Sequence, residues 1–174
     1  MSLYDETLPT FLLTLQNLDG WLQKAIDSAD SRGFDAEKLL AGRLAPDQFD
    51  LTRQIQSTCD TAKLCGARLA GVDAPKHEDG PATMAELRVR IAEVRAFLSG
   101  LSRDDIDGGG DRVLSPGFLR GGSMSAANLA REFSMPNFYF HVVMAYAILR
   151  HQGVPLGKMD FLGRLTIIPA APPA

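Results

Sequence analysis

Cysteine is scarce in this chain: two in 174 residues, at positions 59 and 65. Six residues apart on an expected helix, they stand about 9 Å apart along its axis. A disulfide needs Cα atoms closer than about 7 Å. Cys59 and Cys65 are therefore not a bridge, not CxxC and not a zinc spacing, and read as two buried thiols. A membrane-length apolar run, about 18 residues or more, is also missing. The longest uncharged stretch, Phe133 to Leu149, carries Ser134, Pro136, Asn137 and His141, which suits a core helix better than a membrane span. The opening MSLYDETLP is acidic and lacks the basic and apolar parts of a signal segment. A cytoplasmic protein without a membrane partner is expected.

Excess positive charge is absent as well. The net charge is −3 and no Lys/Arg cluster occurs, so nucleic acid is not an expected partner. No GxxxxGK[ST], GxGxxG or GxSxG is found, which leaves phosphate loops and nucleophile elbows unsupported. Asp105, Asp107 and Gly108 to Gly110 hint at a calcium loop, but the twelfth position from Asp105 is Pro116 where a Glu is needed. These absences exclude most common enzyme classes.

What remains is ordinary globular material, 45% hydrophobic and 22% charged, long enough for one domain with a sizeable core. Leu8, Phe11, Leu12, Leu15, Leu18, Leu22, Ile26 and Ala29 recur at three- and four-residue intervals. They predict an amphipathic helix over about 7–29, with Pro9 in its first turn and Trp21 at the edge of the stripe. Asp35 is expected to cap a short helix through Leu40. Asp47 is expected to cap a long helix to about Leu69, with Leu51, Ile55, Cys59, Ala62 and Leu69 inward. Arg53, Gln54, Gln56, Ser57, Asp60 and Lys63 lie on its adjoining faces. Thr83 to Glu86 is a capping box for a third helix through Leu98, whose Arg88, Arg90, Glu93 and Arg95 read as solvated. An insertion over about 111–122 reads as a β-hairpin, Val113-Leu114 against Phe118-Leu119 around a Pro116-Gly117 turn. Ser125 can cap a helical piece to Phe133, Pro136 kinks or restarts it, and Gly153 with Pro155 ends the last helix. Residues 164–174 form a Pro-rich tail. The fold class is all-α, an up-down four-helix bundle with a small hairpin, over 1–163.

The last helix is apolar on nearly every side, which places His141 in the protein interior. Such a ring is either a hydrogen-bonded core histidine or a functional group. Asn137 lies one turn before it and Ala145 one turn after, so this helix alone does not supply a second zinc ligand. Gln54 or Arg53, turned inward, would meet it, and a buried Arg53 would need a partner, most simply Asp60. His77 reads as a solvated loop residue, and His151 as a helix C-terminal one.

The segments MSLYDETLPTFLLTLQNL, RLAPDQFDLTRQIQ and PNFYFHVVMAYAILRHQGVPLGKMDFLG, in that order, closely resemble a bacterial family of unassigned activity grouped with the DinB/YfiT-like helical bundles. The resemblance covers residues 1 to about 163. It implies a four-helix bundle, often a homodimer, whose relatives bind zinc or nickel through three histidines, some acting as thiol-dependent transferases. Set on the Gly153-Val154-Pro155 that follows the last helix, the register puts the second histidine of the family's HxxxH on His141 and the first on Asn137. The second-helix histidine falls near Gln54, with Arg53 or Gln56 within the error. The resemblance thus implies no resident cofactor, with zinc or nickel on His141 as the alternative. The expected function is a non-metal pocket for a small molecule: His141 as general base, with Asn137, Gln54, Arg53, Tyr139 and Tyr146 as binding residues. The alternatives are a dimeric scaffold and a metal-dependent thiol transferase or hydrolase.

Overall fold

The computed structural model describes residues 2–167. Four long helices make the bundle: α1 (Leu3–Ser31), α2 (Leu51–Ala70), α3 (Met84–Ser99) and α6 (Met135–His151). Their periodic apolar residues meet in one core, including Leu8, Phe11, Leu15 and Leu22 of α1 and Ile55 and Cys59 of α2. Leu87 and Ile91 of α3 and Phe138 and Val142 of α6 complete it. Phe11 meets Phe138 edge to face at 4.7 Å, joining α1 to α6 across the core.

Side-chain pairings give the helix directions. Gln54 meets His141 and Asn137 meets Thr61, so α2 and α6 are antiparallel. Asp60 meets Arg90, and Gly66 lies against Leu98, so α2 and α3 run the same way. The 71–83 connection must therefore travel back along α2. Gly71, at φ +73, ends α2 in a left-handed cap that turns the chain into this return.

Several boundaries differ from the sequence expectation. α1 begins four residues earlier than the periodicity suggests, because Ser2 caps it and Asp107 accepts bonds from Ser2 Oγ and the Tyr4 N–H. Pro9 consequently sits inside the helix, and these anchors help offset its missing N–H. Asp50, not Asp47, caps α2, accepting from the Arg53 N–H at 2.9 Å. Trp21 is fully buried rather than at a stripe edge. A short helix α7 (Lys158–Leu162) covers it, with Phe161 stacked on the indole and the Asp160 carbonyl accepting its N–H at 2.9 Å. The Thr83–Glu86 capping box and the Asp35 and Ser125 caps form as expected.

After α4 (Arg103–Gly108), the insertion forms a two-stranded antiparallel ladder in which β1 (Val113–Leu114) pairs with β2 (Met124–Ser125). Phe118-Leu119 belongs to a single tight helical turn in the connecting loop instead of the return strand. Its Phe118 ring is held by a stack on Phe133 at 4.2 Å, a tertiary contact that replaces ladder bonds. From Ser125 the chain runs through α5 (Ala126–Asn128) and a π-helical turn, Leu129–Ser134, into α6. Pro136 stands in the first turn of α6, where its missing N–H is tolerated, so it restarts the helix without a break. Of the tail expected over 164–174, residues 168–174 lie outside the described residues.

Candidate functional site

His141 and Asn137, one turn apart on α6, face α2. His141 is 8% exposed and Gln54 1%. The Gln54 Nε2 donates to the Phe49 carbonyl at 3.3 Å, and a carbonyl oxygen can only accept. That sets the amide, so Gln54 Oε1 faces His141 Nδ1 at 2.8 Å and Nδ1 must carry the proton. The second nitrogen, Nε2, then keeps its lone pair and has no hydrogen-bond partner among the described residues. Burial, and after it the charge of Arg53, holds the His141 pKa below the ordinary imidazole range, so the ring is neutral near pH 7. Phe49 lies nearly parallel to the imidazole, 6.3 Å between centroids. Asn137 Nδ2 donates to Thr61 Oγ1 at 2.8 Å.

These groups, Gln54 excepted, line a cavity of about 350 Å³ between α2 and α6, together with Ser57, Asp60, Arg68, Phe118, Phe133 and Ser134. It is within the size range of small-molecule pockets. A larger cleft, about 700 Å³, lies against the start of α2 and shares Arg53. Its other polar side chains are engaged: Asp79 with Arg53 and Arg90, Gln56 with Gly80, Glu37 with the Met84 N–H and Asp50 in its cap. Among the described residues, the smaller cavity holds a ring nitrogen, His141 Nε2, that no protein group occupies.

Sequence-level candidates are distributed unevenly. His141, Asn137 and Arg53 line the cavity, and Gln54 supports it from behind. Tyr139 is exposed on another face of α6, and Tyr146 packs edge-on against Trp21, 5.3 Å away; neither lines it. Arg53 pairs with Asp79 of the return loop rather than with Asp60. Asp60 is taken by Arg90 at 2.7 Å and Lys63 at 2.8 Å. Arg90, expected in solvent, is buried and also holds the Glu78 carbonyl and Asp79. Burial alone would raise the Asp79 pKa, but hydrogen bonds from Arg53 and Arg90 prevail and hold it below the usual carboxylate range. His77 is likewise held, between Lys63 Nζ at 2.8 Å and Glu93 at 3.0 Å. An ammonium only donates, so Nδ1 of His77 accepts and Nε2–H faces Glu93. His151 is exposed at the end of α6 as expected. Phe49, Thr61, Arg68 and Phe133 escaped the sequence reading. Ser57, Thr61, Leu64 and Arg68 follow Arg53 at intervals of three and four, a signal that becomes legible once α2 is paired with α6.

The chemistry of the three corresponding positions does not fit a three-histidine centre. They hold one imidazole and two amides, with Asn137 Nδ2 turned to Thr61 and Gln54 Oε1 spent on His141. Among the described residues no three His, Cys, Asp or Glu side chains converge to hold an ion. Burial pushes the Cys59 thiol up to about 12 and the Cys65 thiol to about 11, so neither supplies a thiolate near neutrality.

The bundle and its paired α2–α6 face define a DinB-like helical protein. Among solved structures it is similar to a DinB family member protein from Shewanella denitrificans. The two share 43% identity and a TM-score of 0.91, over 97% of this chain and 96% of that one. The chain belongs to the family described as a domain of unknown function, DUF1993, which matches residues 3–162. No curated protein matches it. Among the described residues no helix is long and apolar enough to cross a membrane.

Proposed function

We propose that the His141 cavity binds a small organic molecule and presents His141 Nε2 to it as a hydrogen-bond acceptor or general base. One observation carries this reading. Gln54, itself set by the Phe49 carbonyl, assigns the proton to Nδ1 and leaves an unpartnered lone pair on a ring lining the cavity. Asn137 and Thr61 add polar contacts, and Phe49, Phe118 and Phe133 an apolar wall. On this reading the family's metal position is a degenerate site repurposed for hydrogen bonding, in a cytoplasmic bacterial protein without a resident cofactor. The exposed Tyr139, Phe140 and Val143 on α6 favour a second reading for that face, a homodimer contact.

The test is a ligand-observed NMR screen of wild type and His141→Ala, with metal content measured on both. Binders lost in the variant are expected. Binders unchanged, with only the unfolding midpoint lowered, would sink the pocket reading in favour of a scaffold. Stoichiometric zinc or nickel that disappears with His141 would favour the metal reading instead.

A further inference from the structure

The charges around the cavity are unevenly answered. Asp60 and Arg53 line it, but Asp60 is bonded to Arg90 and Lys63, and Arg53 to Asp79. Arg68, half-buried near the end of α2, also lines the cavity and has no carboxylate or hydrogen-bond partner among the described residues. Burial presses its pKa below the ordinary guanidinium value with no acidic neighbour opposing the shift apart from the Cys65 thiol, which is protonated near neutrality. The α2 C-terminus offers some compensation. A half-buried guanidinium without a counter-charge still presents donors in a planar fork, a shape that matches a carboxylate in bidentate fashion.

Geometry indicates the rest of the ligand. The pairings of Gln54 with His141 and Thr61 with Asn137 run in register along the two helices, so Arg68 lies beyond Asn137 at the far end from His141. The Phe118–Phe133 stack lines the cavity there too, 4.2 Å between rings. We propose that the cavity takes an aryl carboxylate, with the carboxylate on Arg68, the ring against Phe118 and Phe133, and the far end directed toward Asn137 and His141. This rests on the reading of the cavity as a ligand site and adds the chemical class.

Cinnamate and its neutral amide, near-isosteric, are the probes, with affinities read by calorimetry on wild type, Arg68→Met and Arg68→Lys. Cinnamate is expected to bind wild type more tightly than the amide and to weaken about tenfold or more in Arg68→Met. Arg68→Lys should recover part of that loss, and Arg68→Met should weaken the amide by far less than it weakens cinnamate. Wild type alone supplies a check that needs no variant: added salt should weaken cinnamate and spare the amide. Equal affinity for the two probes, or cinnamate binding indifferent to Arg68→Met, overturns the carboxylate assignment while the pocket stands. Failure of both probes to bind overturns the aryl-carboxylate assignment, while the pocket reading is decided separately by the screen of wild type against His141→Ala.

Discussion

Gln54→Glu puts a carboxylate of the same shape where the amide oxygen now lies 2.8 Å from His141 Nδ1. In the native protein the folded pKa of His141 is depressed by burial and then by Arg53. The unfolded chain, near 6.5, therefore takes up a proton first as pH falls. The stability this ring contributes is present above that value and lost below it. In the variant, opposite charges about 4 Å apart attract by roughly 4 kcal/mol at an effective dielectric near 20. Desolvation of a carboxylate in a site only 1% exposed offsets part of this. The expected net result is a His141 pKa raised above the unfolded value by the new carboxylate. The pH dependence then reverses: the contribution is present below the unfolded pKa and lost as pH rises through the folded one. The Phe49 carbonyl also loses its Gln54 donor, which costs about 1–3 kcal/mol near neutrality. Long-range ¹H–¹⁵N NMR titration of the imidazole, with urea unfolding at acid and neutral pH, reads each of these effects. A variant midpoint no higher than that of wild type, or wild-type shifts that place the proton on Nε2, refutes the tautomer assignment.

Three further outcomes follow from the same contacts. Lys63→Met removes a buried ammonium from Asp60 and His77, though Asp60 keeps Arg90; about 1–3 kcal/mol of stability is expected to be lost in urea titrations. Faster amide exchange in the 71–83 loop should accompany it, and unchanged exchange would argue against Lys63 holding that loop through His77. Thr83→Ala removes the capping box of α3 and should cost about 1 kcal/mol, read as a lowered urea midpoint with an unchanged slope. Cys59 and Cys65 should resist a disulfide reagent at neutral pH until the chain unfolds globally; rapid labelling of the native protein would contradict their burial.

The return loop explains why the polar side of α2 was hard to read from the sequence. Lys63, Gln56 and Arg90 look like a solvated surface because charge patterns in a helix say which residues share a face, not what covers it. Residues 76–80 lie over that face and bury it through His77, Asp79 and the Glu78 and Gly80 carbonyls. Arg53 finds Asp79 there instead of Asp60, its neighbour in α2. Trp21 looks like a stripe-edge residue for the same reason, since the helix that covers it arrives from about 140 residues away.

Local sequence determined the four helices, their apolar stripes and most of their caps. These depend on the 3.6-residue period and on side chains within a turn of each helix end, so Thr83, Asp35 and Ser125 could be read where they stand. It also determined that His141 would be buried, because α6 offers almost no polar face. Tertiary structure alone decided which nitrogen of that ring carries the proton. The answer depends on Gln54, 87 residues earlier in the chain, and on the Phe49 carbonyl that orients its amide. Both reach His141 only when α2 and α6 pack antiparallel, and hydrogen-bond direction across such an interface has no local signature in the chain.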